Sequence, residues 1–150
     1  MKFKLPRRSL IALSLCASSM SLVWAQPDFA QQAAKEPGAR VTASGLVFKS
    51  LQDGQGASPL ASDKVKVHYR GTLPDGKEFD SSFKRNQPID FPLNAVIPCW
   101  TEGVQLMKVG GKAKLTCPPA IAYGSRGAGG VIPPNATLQF EVELIAIAGK

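Results

Sequence analysis

Lys64-Val65-Lys66-Val67-His68-Tyr69-Arg70-Gly71, followed after Thr72 by Leu73-Pro74-Asp75-Gly76-Lys77 and Glu78-Phe79-Asp80-Ser81, decides the fold. Val65, Val67 and Tyr69 alternate with charged or polar neighbours, the period-two pattern of a strand with one buried face. An Asp-Gly pair between two such runs is a strong hairpin signal, because the turn needs positive φ. Working outward, Leu46 and Phe48 alternate with polar residues. Ala113, Leu115 and Cys117 alternate with Lys112, Lys114 and Thr116, and Leu138, Phe140, Val142 and Leu144 with Gln139, Glu141 and Glu143. One segment, about 99–107, has helical spacing at Trp100, Val104 and Met107. Pro98 stands at its first turn and Gly110-Gly111 at its end. The expectation is α+β: a twisted antiparallel sheet wrapped on one short helix.

The rest of the chain is ordered by composition. Residues 1–25 hold Lys2, Lys4, Arg7 and Arg8 with no acid, an apolar run from Leu10 to Leu22, and then Val23-Trp24-Ala25. This is the pattern of a cleaved secretory signal, and the apolar run is short for a membrane span. Leu15 before Cys16 argues against a lipoprotein signal. Residues 26–43 are polar and irregular and read as a flexible linker, leaving 44–150 as the folded domain. The whole chain carries 18 basic and 11 acidic residues, a net +7. Without residues 1–25 the balance is 14 against 11, a net +3 with no basic cluster, so no nucleic-acid partner is expected. No membrane insertion after cleavage and a monomeric state are expected, with a location in the periplasm or outside the cell. Cys99 and Cys117 read as a disulfide or as two buried thiols, and an oxidising compartment favours the disulfide.

Several chemistries lack their residues. His68 is the single histidine and shares a strand face with Lys66 and Arg70, so it reads as a solvated strand residue. No Ser-His-Asp set is supported, and two cysteines are too few for a structural zinc. Gly124 to Gly130 is glycine-rich, but it lacks the Gly-Lys-Ser/Thr ending of a phosphate loop and leads to Pro133-Pro134. It reads as a flap or as a plain connector.

Five ordered blocks narrow the reading: Val67 to Gly71; Asp75 to Ser82; Val96-Ile97-Pro98-Cys99-Trp100; Ala122-Tyr123-Gly124; and Ile132 to Leu138 with Phe140 to Leu144. Together they resemble the FKBP-type peptidyl-prolyl cis-trans isomerase domain, over about 44–147. The resemblance implies an antiparallel half-barrel of five to six strands around the short helix, with an apolar pocket between them, no cofactor and no metal. It implies Tyr69, Phe79, Asp80 and Tyr123 as the catalytic set, with Asp80 at the pocket edge rather than in proton transfer. Phe91, Val96, Ile97, Trp100, Ile132 and Phe140 are implied as substrate-binding, Trp100 as the floor. The implied partners are proline-containing unfolded or partly folded polypeptides, and macrolide inhibitors such as rapamycin. Cys99 departs from the glycine usual in that block, and Ile89 from an aromatic common in eukaryotic members.

Overall fold

Residues 28–150 are described by a computed structural model of the chain. The signal expected at 1–25 lies outside the described residues. The elements run α1 (Phe29–Ala34), β1 (Ala39–Val41), β2 (Val47–Gln52), β3 (Lys64–Thr72), β4 (Glu78–Ser81), β5 (Ile89–Pro92), α2 (Pro98–Gln105), β6 (Lys112–Cys117) and β7 (Leu138–Ile147). All seven strands join one antiparallel sheet in the order β1-β2-β6-β7-β3-β4, with β5 also paired to β3. This is the expected α+β architecture, with one strand more than the upper expectation.

Alternation places the core. Val65 and Val67 of β3, Ala113 and Leu115 of β6, and Phe140, Val142 and Leu144 of β7 are buried on the concave face, against Trp100, Val104 and Met107 of α2 and its C-terminal extension. The facing polar residues line the convex side. The alternation breaks once in β7, where Leu144 and Ile147 are both buried. The β3–β7 register explains this: Val67 pairs with Leu144 and Lys66 with Ala146, so Ile145 is the extra residue of a bulge. A bulge inserts one unpaired residue and shifts every later side chain to the other face.

The tight turn at Asp75-Gly76 forms as its sequence implies. Gly76 has φ +86°, and Leu73 N–H donates to the Lys77 carbonyl at 2.9 Å. The helix ends at Gln105, held at its start by Pro98 in the first turn.

Residues 28–43 differ from the irregular linker expected there. They carry α1, capped by the Asp28 carboxylate, and β1, which pairs Ala39 with Lys49 and Val41 with Val47. Ala30 and Ala33 are buried, and the Glu36 carboxylate accepts from Lys49 at 3.0 Å and from Lys114 at 2.7 Å. The buried face is made of small alanines, so it leaves almost no hydropathy signal to read. Among the described residues no helix is long and apolar enough to cross a membrane.

Candidate active site

Between the concave face of the β3–β4–β5 side and the start of α2 lies a cavity of about 380 Å³. Its lining includes Tyr69, Phe79, Asp80, Phe91, Val96, Ile97, Trp100, Tyr123 and Phe140. Nine of the ten expected site residues thus converge. Each is placed by strand register. Tyr69 follows Val65 and Val67 onto the inward face of β3. Phe91 stands directly opposite Val65 and Phe140 opposite Gly71. Residues 79 and 80 are sequence neighbours and in a regular strand would point to opposite faces. The β3–β4 register skips from the Gly71–Asp80 pair to the Thr72–Glu78 pair, so Phe79 is the bulged residue and both side chains reach the cavity.

The aromatic rings form one connected set. Trp100 is the hub, with ring centroids 5.2 Å from Tyr69, 5.2 Å from Phe91 and 5.3 Å from Phe140; the Tyr69 and Phe140 contacts are edge-to-face. Phe79 meets Phe140 edge-on at 5.6 Å. Such geometry aims the positive edge of one ring at the negative face of another. Gly71 makes room for it: a Cβ there would stand 2.5 Å from Phe79 Cζ and 3.0 Å from Phe140 Cε1. The Trp100 Nε1–H is buried and, among the described residues, has no hydrogen-bond acceptor.

The polar groups sit at the edge. The Tyr69 hydroxyl donates to the Asp80 carboxylate and accepts from Arg85 at 3.3 Å, while Arg85 also donates to Asp80 at 2.6 Å. Burial together with the neighbouring Asp80 charge pushes the Tyr69 hydroxyl up, so it remains a donor. Burial works against the charged form of Asp80, but the hydrogen bonds from Arg85 and Tyr69 outweigh it and hold its carboxyl below the ordinary range. Asp80 is thus an anchored anion that locks the Tyr69 ring, consistent with the pocket-edge position expected of it. Two donors are left over. Among the described residues neither the Ile97 N–H, just before α2, nor the Tyr123 hydroxyl, 40% exposed as a residue, has a protein acceptor.

Ile132 is the expected wall residue that the cavity lining does not include. Its backbone pairs with Ala128 in both directions at 3.0 Å, which folds the glycine-rich flap back and buries the side chain in the core. Ile89 and Ala95, not among the expected set, line the cavity instead. Ile89 is two residues before Phe91 on β5 and opposite Val67, so strand alternation contained the signal. His68 stays outside, on the convex face, stacked on Phe83 at 4.7 Å with Nδ1 2.9 Å from the Ser82 hydroxyl. A second hollow of about 380 Å³ lies at the other end of α2. Arg40, Asp53, Lys108 and Lys112 border it, so it suits water better than an apolar group.

The carboxylates predict an acid limit to stability. Hydrogen bonds from Lys114 and Lys49 lower Glu36, those from Lys84 and Arg70 lower Glu78, and Asp80 is lowered as above. A carboxylate whose pKa is depressed in the folded state stabilises that state above its ordinary value and loses the contribution as pH falls through the folded value. Urea midpoints should therefore hold between pH 8 and 5 as far as these groups are concerned. They should drop below the ordinary values of 4.5 for the glutamates and 3.8 for Asp80. Asp80→Asn should flatten part of the drop; an identical acid profile in that variant would show that Asp80 contributes nothing to it.

The sequence matches the family described as FKBP-type peptidyl-prolyl cis-trans isomerase over residues 56–145. It is 58% identical over 114 residues to the FKBP-type peptidyl-prolyl cis-trans isomerase FkpA of Aeromonas hydrophila, covering 76% of this chain and 42% of that protein. It is 49% identical over 120 residues to FkpA of Escherichia coli strain K12, covering 80% and 44%. The crystal structure of FkpA from Escherichia coli superposes with a TM-score of 0.77 at 49% identity, over 79% of this chain and 55% of that one. The chain thus spans less than half the length of these two curated relatives.

Proposed function

Because the chain belongs to the FKBP-type peptidyl-prolyl cis-trans isomerase family, we propose that it accelerates cis-trans isomerisation of X-Pro bonds in exported polypeptides, holding the twisted imide in the aromatic cavity. The observation that carries this reading is the convergence of Tyr69, Phe79, Phe91, Trp100 and Phe140 on one cavity, with unused donors at its edge.

The chemistry asks for little more. An amide resists rotation by about 18–20 kcal/mol because twisting destroys its resonance. Between the planar forms no covalent bond to the protein is needed and no net proton moves. The twisted imide has a less polar carbonyl than either planar form, so water favours the planar forms. A cavity walled by rings excludes that water and lowers the relative cost of the twist. Trp100 supplies a flat floor for the pyrrolidine ring, with Tyr69, Phe91 and Phe140 as walls. The Ile97 N–H and the Tyr123 hydroxyl are placed to receive carbonyls flanking the proline. Asp80, at the cavity edge, and Arg85 keep Tyr69 in its rotamer and take no part in proton transfer.

Action outside the cytoplasm is part of the proposal. The charged and then apolar pattern of residues 2–25 supports it, and so does a disulfide in the domain, because such bonds persist in oxidising compartments.

A protease-coupled assay on short X-Pro peptides tests the reading. The expected result is a rate that rises with protein concentration and is abolished by saturating rapamycin. Binding of the peptides without any rate increase would leave a holding module instead of an isomerase.

A further inference from the structure

We propose that the disulfide joining Cys99 to Cys117 is a positioning cross-link of the candidate site, setting the Ile97–Trp100 segment against the arm that carries Tyr123. This rests on the isomerase reading above.

The bond stands where two separately built parts of the cavity share a root. Cys99 lies in the first turn of α2, next to Trp100 and just after Ile97, and both of those line the cavity. Cys117 is the last residue of β6. From it the chain runs through Pro118 and the short turn Pro119–Ile121 directly to Tyr123, which lines the cavity from the other side. The Cα atoms of the two cysteines are 5.8 Å apart.

Hydrogen bonding does not duplicate this link. The arm's backbone bonds are local: Ile121 N–H to the Pro118 carbonyl and Ala122 N–H to that of Pro119, both at 3.1 Å. Beyond Tyr123, the Gly124 carbonyl accepts from Asn135 N–H at 2.8 Å, within the flap itself. The start of α2 is bonded to itself, Trp100 and Thr101 N–H donating to the Ile97 carbonyl. Among the described residues no backbone hydrogen bond joins α2 to residues 118–123. Side-chain packing and the disulfide therefore set the distance between the Ile97 N–H and the Tyr123 hydroxyl. Two groups that must reach flanking carbonyls of one substrate act well only when their separation is fixed.

Both cysteines are fully buried. Solvent thiols do not reach the bond in the folded protein, so it serves as a permanent strut and not as a surface toggle. Loss of the strut should broaden the distribution of donor positions and weaken substrate binding more than turnover.

The test compares the oxidised full chain, the same chain refolded under tris(2-carboxyethyl)phosphine, and Cys99→Ala/Cys117→Ala. All three, and the stability control, carry Trp24→Phe, so that fluorescence reports Trp100 alone. A stability control, Lys114→Ala, loosens the Glu36 ion cluster on the opposite face of β6. At a temperature well below every unfolding midpoint, both bond-free proteins should show KM raised threefold to tenfold, kcat within twofold, and a changed Trp100 emission. The Lys114→Ala protein should keep the oxidised values. Unchanged KM and emission without the bond overturn the proposal, as does a failure of both bond-free proteins to fold, since the link is then a stability element alone. An oxidised protein inactive on every X-Pro peptide overturns the isomerase reading, and this inference with it.

Discussion

Replacing Trp100 with leucine should cost at least tenfold in kcat/KM on X-Pro peptides and about 2 kcal/mol of stability, the balance of a cavity cost against a recovered buried donor. Trp100 is 5% exposed and is the ring that three others touch. Large-to-small changes at buried aromatics cost about 3–5 kcal/mol to alanine, and leucine refills part of the space. Two edge-to-face contacts disappear, worth about 0.5–1.5 kcal/mol each beyond area burial. Against this, the unpaired Nε1–H is removed, and a buried unsatisfied donor is a liability of about 1–3 kcal/mol. The cavity side wins because three ring neighbours lose their partner at once. Activity should suffer more than stability, since a branched aliphatic chain offers no flat floor. Urea unfolding with an unchanged m-value would give the stability part. Retained kcat/KM within twofold would remove Trp100 from the mechanism.

The second large effect is expected at Gly127. Its φ of +63° with ψ of −163° lies in a region open essentially to glycine alone. A Cβ there would stand 2.2 Å from the Ile132 carbonyl oxygen and 3.0 Å from the Pro133 carbonyl carbon. Both are main-chain atoms, so no rotamer change relieves the clash. Gly127→Ala should therefore break the Ala128–Ile132 pairing and release Ile132 from the core. Strain of this kind costs about 1–3 kcal/mol. The flap also carries Tyr123 at its start, so KM should rise about tenfold, by analogy with losing one hydrogen bond worth roughly 1.4 kcal/mol. Amide exchange at Ala128 and Ile132 reads the first effect and steady-state kinetics the second. Protected amides in the variant would mean that the flap accommodates the side chain.

Much of this was legible in the chain. The alternation through Val65–Tyr69 and Leu138–Leu144, with one Asp-Gly turn, was enough for an antiparallel sheet, because burial on one face imposes period two. The motif blocks held eight of the cavity residues, and the strand that carries Phe91 a ninth. What stayed hidden has physical causes. The bulges at Phe79 and Ile145 change which face a side chain takes, yet a bulge leaves no mark in residue type. The direction of Ile132 depends on a backbone pairing within the flap. The helix α1 buries alanines, whose low hydropathy makes a packed face look like a linker. The two cysteines have the same spacing whether bonded or free, so only their placement at 5.8 Å decides between them. The three-way contact of Arg85 with Asp80 and Tyr69 exists only once the hairpin is folded.

The most direct measurement is NMR exchange spectroscopy on a short Leu-Pro peptide with a few per cent of the protein present. If the cavity favours the half-rotated imide, cross-peaks linking cis and trans forms should appear at mixing times far shorter than the uncatalysed tens of seconds, and Trp100→Leu should remove most of them. Peptide resonances that shift on binding while cis and trans fail to interconvert faster than in buffer would contradict the account.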